Sequence, residues 1–196
     1  MKELDKRFEQ SKIGSLSRGD KSFIGKWDSR IVELCESINN LENYFTNSSC
    51  SGRIVLIKDN IEKTHGLFLF LSHDLLDFGN FKKELEMIRI KNCEGIINFK
   101  QEPAILAISC KTIEDAFKLV EKARYLGWKR SGLMAYSEKR YVVELMCTEH
   151  IDFPIISNGK ILVEDIFLKL IVEKSNENLE RTWEKIEKLK KEIASY

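Results

Sequence analysis

Apolar side chains recur along the chain at two different periods, and the alternation between these periods sketches the fold. Ile31, Leu34, Ile38, Leu41 and Phe45 return every three to four residues, which predicts one buried face of a helix. Asp28 stands where an N-cap belongs, and Trp27 and Val32 are spaced for a hydrophobic staple. Ile54-Val55-Leu56-Ile57 and the run from Gly66 to Leu71 read as short inner strands, and the polar stretch Asp59 to Thr64 predicts that they form a hairpin. Phe81, Leu85 and Ile88 predict another helix, while Gly95 to Phe99 and Ala104 to Cys110 predict two more strands. Thr112 and Asp115 have capping-box spacing, Ala116, Phe117, Val120 and Ala123 supply the apolar face behind them, and Gly127 falls at the C′ position. Strands from Leu133 and from Tyr141 to Met146 follow. From about Val163 to Ile193 the pattern is one long amphipathic helix, with Asn176 as its weak point.

Two apolar runs joined by a short polar turn need no crossover helix. The expected class is therefore α+β: a mixed, largely antiparallel sheet packed against helices in one domain over residues 1–196, with a long C-terminal helix. The order also suggests an internal duplication. A helix, Ser51-Gly52 and a hairpin ending near His73 parallel a helix, Ser131-Gly132 and a hairpin ending near His150. On that reading a cleft would lie between two pseudo-related halves.

Composition narrows the function classes. With 43% hydrophobic residues, the 196-residue chain can form a core, which excludes disorder as its main state. A net charge of +1 excludes a bulk, charge-driven nucleic-acid binder and leaves selective recognition open. Five cysteines without a CxxC pair point to reduced thiols rather than a disulfide framework or a cysteine zinc site. No apolar run approaches the length of a membrane span, so a cytoplasmic protein without membrane association is expected. Three histidines without HxH or HExxH spacing predict no metal centre. The oligomeric state is not legible from the pattern.

The stretch Asn47-Ser48-Ser49-Cys50-Ser51-Gly52-Arg53 carries the most concentrated candidate chemistry. One of its serines could serve as a nucleophile with His73 and Asp74, but no nucleophile-elbow pattern surrounds them. Alternatively, the small residues admit close backbone approach to a ligand whose carboxylate or phosphate Arg53 would hold, or they merely pack. Arg89, Lys91, Lys100 and Trp128-Lys129-Arg130 form a basic, aromatic set suited to phosphates and unstacked bases, although Trp128 after a helix-ending glycine reads equally well as core. Neither GxGxxG nor GxxxxGK[ST] occurs.

Ile38-Asn39, Glu42 to Thr46 and Ser48-Ser49-Cys50-Ser51-Gly52-Arg53-Ile54, followed in order by Ser72-His73, Glu102-Pro103-Ala104-Ile105-Leu106, Gly127 to Gly132, Val143-Glu144 and Pro154, resemble the signature of the TYW3/Taw3 family. These are the tRNA wybutosine-synthesizing protein 3 methyltransferases, and the likeness covers nearly the whole chain. It implies an archaeal stand-alone enzyme that uses S-adenosylmethionine to methylate N4 of a wyosine-type base at position 37 of tRNA(Phe), in the anticodon loop. It also implies a cofactor site unlike the doubly wound Rossmann-type methyltransferases. Laid on this resemblance, residue chemistry makes His73 the candidate base and Asp74 its orienter. Ser49, Ser51, Gly52 and Arg53 become the cofactor-binding candidates, and Lys129, Arg130, Ser131 and Gly132 the tRNA-binding ones. The chain departs from the family pattern at Asn47, at Ala107, where a histidine is common, and at Met146, a position often held by arginine. A non-enzymatic RNA-loop binding protein is the alternative.

Overall fold

The structure, a computed structural model, describes residues 2–17, 28–59, 67–91 and 94–195. In chain order these form α1 (Lys2–Leu16), α2 (Val32–Asn40), β1 (Tyr44–Cys50), β2 (Arg53–Lys58), β3 (Phe68–Ser72), α3 (Phe78–Lys91), β4 (Ile96–Glu102), β5 (Ile105–Cys110), α4 (Ile113–Tyr125), β6 (Gly132–Ser137), β7 (Arg140–Met146), β8 (Ile151–Ser157), β9 (Lys160–Ile161) and α5 (Asp165–Ile193). The strands make two sheets, ordered β1-β5-β7-β6 and β3-β2-β4-β8-β9, and all their pairings are antiparallel. The fold is thus α+β, with two sheets where the sequence predicts one. Trp27, most of the turn predicted at 59–64, and His65 lie outside the described residues. No helix among the described residues is long and apolar enough to cross a membrane. The chain divides into two compact units, Met1–Ser51 with Ala104–Thr148 and Thr182–Tyr196, and Gly52–Pro103 with Glu149–Arg181.

In the first unit, alternation along the strands sorts the side chains onto two faces. Leu106 and Ile108 of β5 and Val143 and Leu145 of β7 point into a core that also takes Leu34 and Ile38 of α2, Leu119 and Val120 of α4, and Ile186 and Leu189 of α5. α1 covers part of the other face, where Phe8 and Phe45 meet with ring centroids 5.3 Å apart. Polar ties fix this helix as well. Lys12 Nζ donates to the Leu41 carbonyl at 2.5 Å, and Lys111 Nζ reaches Asp5 at 2.9 Å and Glu42 at 3.1 Å.

The helix predicted to run from Asp28 to Phe45 ends at Asn40, and its last predicted turn is a strand. Asn39 explains the break: its side chain accepts the Thr46 amide N–H at 2.8 Å and donates to Thr46 Oγ1 at 3.0 Å, folding the chain back into β1. Tyr44-Phe45-Thr46 favour a pleated strand over a helix, so Phe45 keeps helical phase in the sequence while occupying the sheet. Asp28 does not cap α2, whose N-cap is Ile31 without a side-chain bond.

Both ends of α4 match the sequence. Thr112 Oγ1 accepts from the Asp115 amide at 3.1 Å, and the Asp115 carboxylate accepts from the Thr112 amide at 3.3 Å. At the far end, Trp128 N–H reaches the Ala123 carbonyl at 2.9 Å and Gly127 N–H the Arg124 carbonyl at 3.1 Å, the paired bonds of a Schellman cap. This closure needs the positive φ of +100° at Gly127. Phe117 departs from the predicted inner face: it is 63% exposed, and Leu119 is buried instead.

In the second unit, β2 and β4 are inner strands. Phe70, Phe81, Phe99, Phe153 and Phe167 form a continuous aromatic chain with successive centroids 5.3–5.8 Å apart. Strand β8 was hidden in the sequence by Pro154. That residue pairs with Asn98 at a register irregularity, beyond the two-residue reach of β9, so its missing N–H interrupts little of the ladder. α5 does not break at Asn176. The Asn176 amide exchanges bonds with the Leu76 backbone at 2.8 and 2.9 Å, and Asn178 donates to the buried Gln101 at 2.8 Å, so tertiary partners offset the low helix propensity.

The two hairpins of the suspected duplication occupy different places in their sheets. β2, the first strand of one, is internal, whereas β6, the first strand of the other, is an edge. Gly52 also has φ +98°, while Gly132 is absent from the described glycines with positive φ.

Candidate functional site

The stretch from Asn47 to Arg53 is strand-turn-strand rather than a helix end. Ser49 is a half-buried β1 residue registered with Leu106. Ser51 is fully buried, and both its amide and its hydroxyl donate to the Asp28 carboxylate, the amide at 3.1 Å. That carboxylate therefore holds the end of β1. Gly52 follows in the left-handed region that other residues avoid.

Arg53 opens β2 directly across from Glu102 of β4. Its Nε donates to Glu102 Oε2 at 2.5 Å, and its guanidinium carbon lies 5.2 Å from the centre of the Phe68 ring. About a quarter of the arginine side chain and a third of the glutamate side chain remain exposed, at 27% and 34%. The pair thus presents a cation and an anion side by side.

His73 and Asp74 follow β3 in the same unit as this pair. Ser72 organises their turn, accepting from the Asp74 amide at 3.1 Å and donating to the Asp74 carbonyl at 3.0 Å. Ser72 itself is registered with Ile54 on β2. The two Asn176 bonds to Leu76 fasten the other end of the segment to α5. Nothing in the sequence pattern singled out Asn176 as a loop anchor, because its partners lie 100 residues away.

The Gly127–Gly132 stretch divides by role. Trp128 is fully buried and its ring N–H meets the Lys185 carbonyl at 3.3 Å, so the stacking role is corrected to core. Ser131 is also buried. Its hydroxyl donates to the Trp128 carbonyl at 2.5 Å and accepts from the Met146 amide at 3.1 Å, while Arg124 grips its carbonyl at 2.6 and 3.0 Å. Gly132 begins β6 opposite Glu144. Lys129 and Arg130 are exposed and stand on a firmly held turn. Elsewhere in the basic set, Arg89 pairs with Glu86 at 2.7 Å and Lys100 with Asp152 at 2.8 Å, which lowers their value as phosphate contacts.

Three of the thiols are poorly placed as nucleophiles. Cys35, Cys110 and Cys147 are buried, and burial, followed by the nearby Asp115 carboxylate, pushes the Cys110 thiol up to about 12.

The model of the family described as methyltransferase TYW3 matches residues 6–195. A Thermococcus sibiricus protein named as a tRNA(Phe) 7-((3-amino-3-carboxypropyl)-4-demethylwyosine(37)-N(4))-methyltransferase is 36% identical over 197 residues, covering 96% of this chain and 95% of that protein. A Xenopus laevis protein named as a tRNA wybutosine-synthesizing protein 3 homolog is 30% identical over 94% of this chain and 73% of its own length. Among solved structures, the PH1069 protein from Pyrococcus horikoshii is similar with a TM-score of 0.85 and 32% identity, covering 98% of this chain and 96% of that one.

Proposed function

The chain belongs to the TYW3 methyltransferase family, and on that premise we propose that it transfers a methyl group from S-adenosylmethionine to N4 of 7-(3-amino-3-carboxypropyl)-4-demethylwyosine at position 37 of tRNA(Phe). The observation that carries this reading is the family match across residues 6–195. Membership of a methyltransferase family favours the enzyme over the RNA-binding protein without catalysis. A cytoplasmic site of action fits a tRNA substrate.

The Arg53–Glu102 pair suits the amino-acid end of the methyl donor. A methionine head group carries both a carboxylate and an ammonium, and the pair offers one partner to each, with the guanidinium as a bidentate donor. Gly52 lets the backbone approach closely beside it. Ser49 belongs to the same stretch, and Ser51 shapes it through Asp28. When bound, S-adenosylmethionine supplies an electrophilic methyl group on a sulfonium.

N4 must lose any proton it carries before or during transfer, and His73 is the base for that step, with Asp74 setting its orientation. The contribution of the fold is to hold this turn still through Ser72 and Asn176, because in-line transfer is intolerant of misplacement. Lys129 and Arg130 meet tRNA phosphates, and Ser131 and Gly132 keep their turn in shape.

Arg53→Ala is expected to weaken S-adenosylmethionine binding by about tenfold to a hundredfold, the range for losing a charge-assisted hydrogen bond. Calorimetric titration measures it; unchanged affinity removes Arg53 from the cofactor site. The same titration on the unaltered protein tests the function, since failure to bind S-adenosylmethionine even with the modified tRNA present contradicts a methyltransferase.

A further inference from the structure

A cavity of about 520 Å³ opens in the first unit between α1 and the face of the β1-β5-β7-β6 sheet opposite the core. Its lining comprises Gln10, Ser11, Gly14 and Ser15 from α1, Asn47, Ala107 and Val142 from the sheet, and Ser137, Lys139 and Arg140 from the β6–β7 hairpin. Among these described residues two are cations and none is a carboxylate, so the described lining is polar and carries net positive charge. Its size is that of a nucleotide-binding pocket.

The fold builds this cavity deliberately at two points. β1 and β5 lose register between Thr46 and Ser48, which makes Asn47 the extra residue of a β-bulge, and a bulge re-aims its side chain. Asn47 is steadied there by Ser109, whose hydroxyl lies 3.0 Å from its amide nitrogen. On the other side, Arg140 is placed by a bond from its guanidinium to Ser11 Oγ at 3.1 Å and by the Phe45 ring 5.6 Å beneath. The guanidinium is therefore aligned without being neutralised by an acid in the lining.

We propose that this cavity takes a phosphate-bearing nucleotide of the substrate tRNA, with Arg140 and Lys139 on the phosphate and Asn47 on the sugar or base edge. The inference rests on the tRNA methyltransferase reading and adds a second recognition point to it. The lining favours one ligand chemistry: an amino-acid head group, whether of the methyl donor or of the modified base, carries an ammonium that would find no carboxylate among the described lining residues. A phosphate needs only the two cations and the hydroxyls, with Arg140 supplying the planar donor fork.

The test uses the full chain, tRNA(Phe) and fluorescence anisotropy across a salt series, with adenosine monophosphate as a free-nucleotide probe. Arg140→Gln is expected to lower tRNA affinity by about threefold to tenfold and to reduce the salt slope by about one, leaving S-adenosylmethionine affinity unchanged. Lys139→Gln, at an exposed hairpin position, should shift both in the same direction and guards against a folding defect in the first variant. Wild-type affinity and slope in both variants would overturn the proposal. So would loss of adenosine monophosphate binding in Arg140→Gln with tRNA binding intact, because the cavity would then belong to a free nucleotide. Binding is read independently of turnover, so a protein that binds tRNA through Arg140 yet transfers no methyl group would refute the catalytic reading and spare this one.

Discussion

His73→Ala is expected to lower the rate of methyl transfer by about 10²–10⁴-fold, the usual contribution of a positioned general base. The loss should appear in kcat, with S-adenosylmethionine binding retained, because the proposed cofactor partners Arg53 and Glu102 lie on β2 and β4 and pair with each other. The local structure should also survive. The turn is organised by the Ser72 hydroxyl and by Asn176 on α5. Single-turnover assays with saturating tRNA and S-adenosylmethionine check the prediction directly. An unchanged chemical rate would take His73 out of the base role.

Trp128→Ala should have the largest effect on stability, about 3–5 kcal/mol. The indole is fully buried among residues of α4, β7 and α5, so its removal leaves a cavity and deletes the partner of the Lys185 carbonyl. It also removes the apolar C″ side chain that accompanies the glycine closure of α4. A domain of ordinary stability, about 5–15 kcal/mol, would lose a large fraction of its margin. Urea unfolding monitored by far-UV circular dichroism measures the change, with Trp128→Phe as the comparison that keeps most of the volume. A midpoint unaltered by Trp128→Ala would contradict the core assignment and reopen a surface role for this residue.

Although the N-cap expected at Asp28 does not form, some local signals in the sequence match the structure. The Thr112–Asp115 box and Gly127 are examples, since capping chemistry and a positive φ involve only neighbouring residues. The β1 strand was hidden because Leu41 and Phe45 continue the helical phase of Ile31, Leu34 and Ile38. The decisive bonds are those from Asn39 to Thr46, and periodicity does not register them. Asn176 misled in the opposite direction: its low propensity suggested a break, while a partner 100 residues away keeps the helix whole.

The candidate site was legible to a similar degree. Sequence order placed Arg53 and His73 on adjacent strands of one hairpin, and the structure puts them in one sheet at β2 and just beyond β3. It could not foresee Glu102 as the partner of Arg53, because that contact depends on the register of β2 against β4. Nor could it reveal that Ser51 and Ser131 spend their hydroxyls on Asp28 and the Trp128 carbonyl. The polar cavity beside Asn47 was missed for the same reason, being created by a one-residue bulge and the placement of α1.

The proposed function stands on methyl transfer by this chain to N4 of a wyosine-type base in tRNA(Phe). Mass spectrometry of nucleosides from tRNA(Phe) carrying 7-(3-amino-3-carboxypropyl)-4-demethylwyosine, after incubation with the protein and S-adenosylmethionine, tests it most directly. The expected result is the gain of a single methyl group, placed on N4 by the fragmentation pattern of the nucleoside. Recovery of the unmethylated base under conditions where the protein binds both S-adenosylmethionine and the tRNA would contradict it.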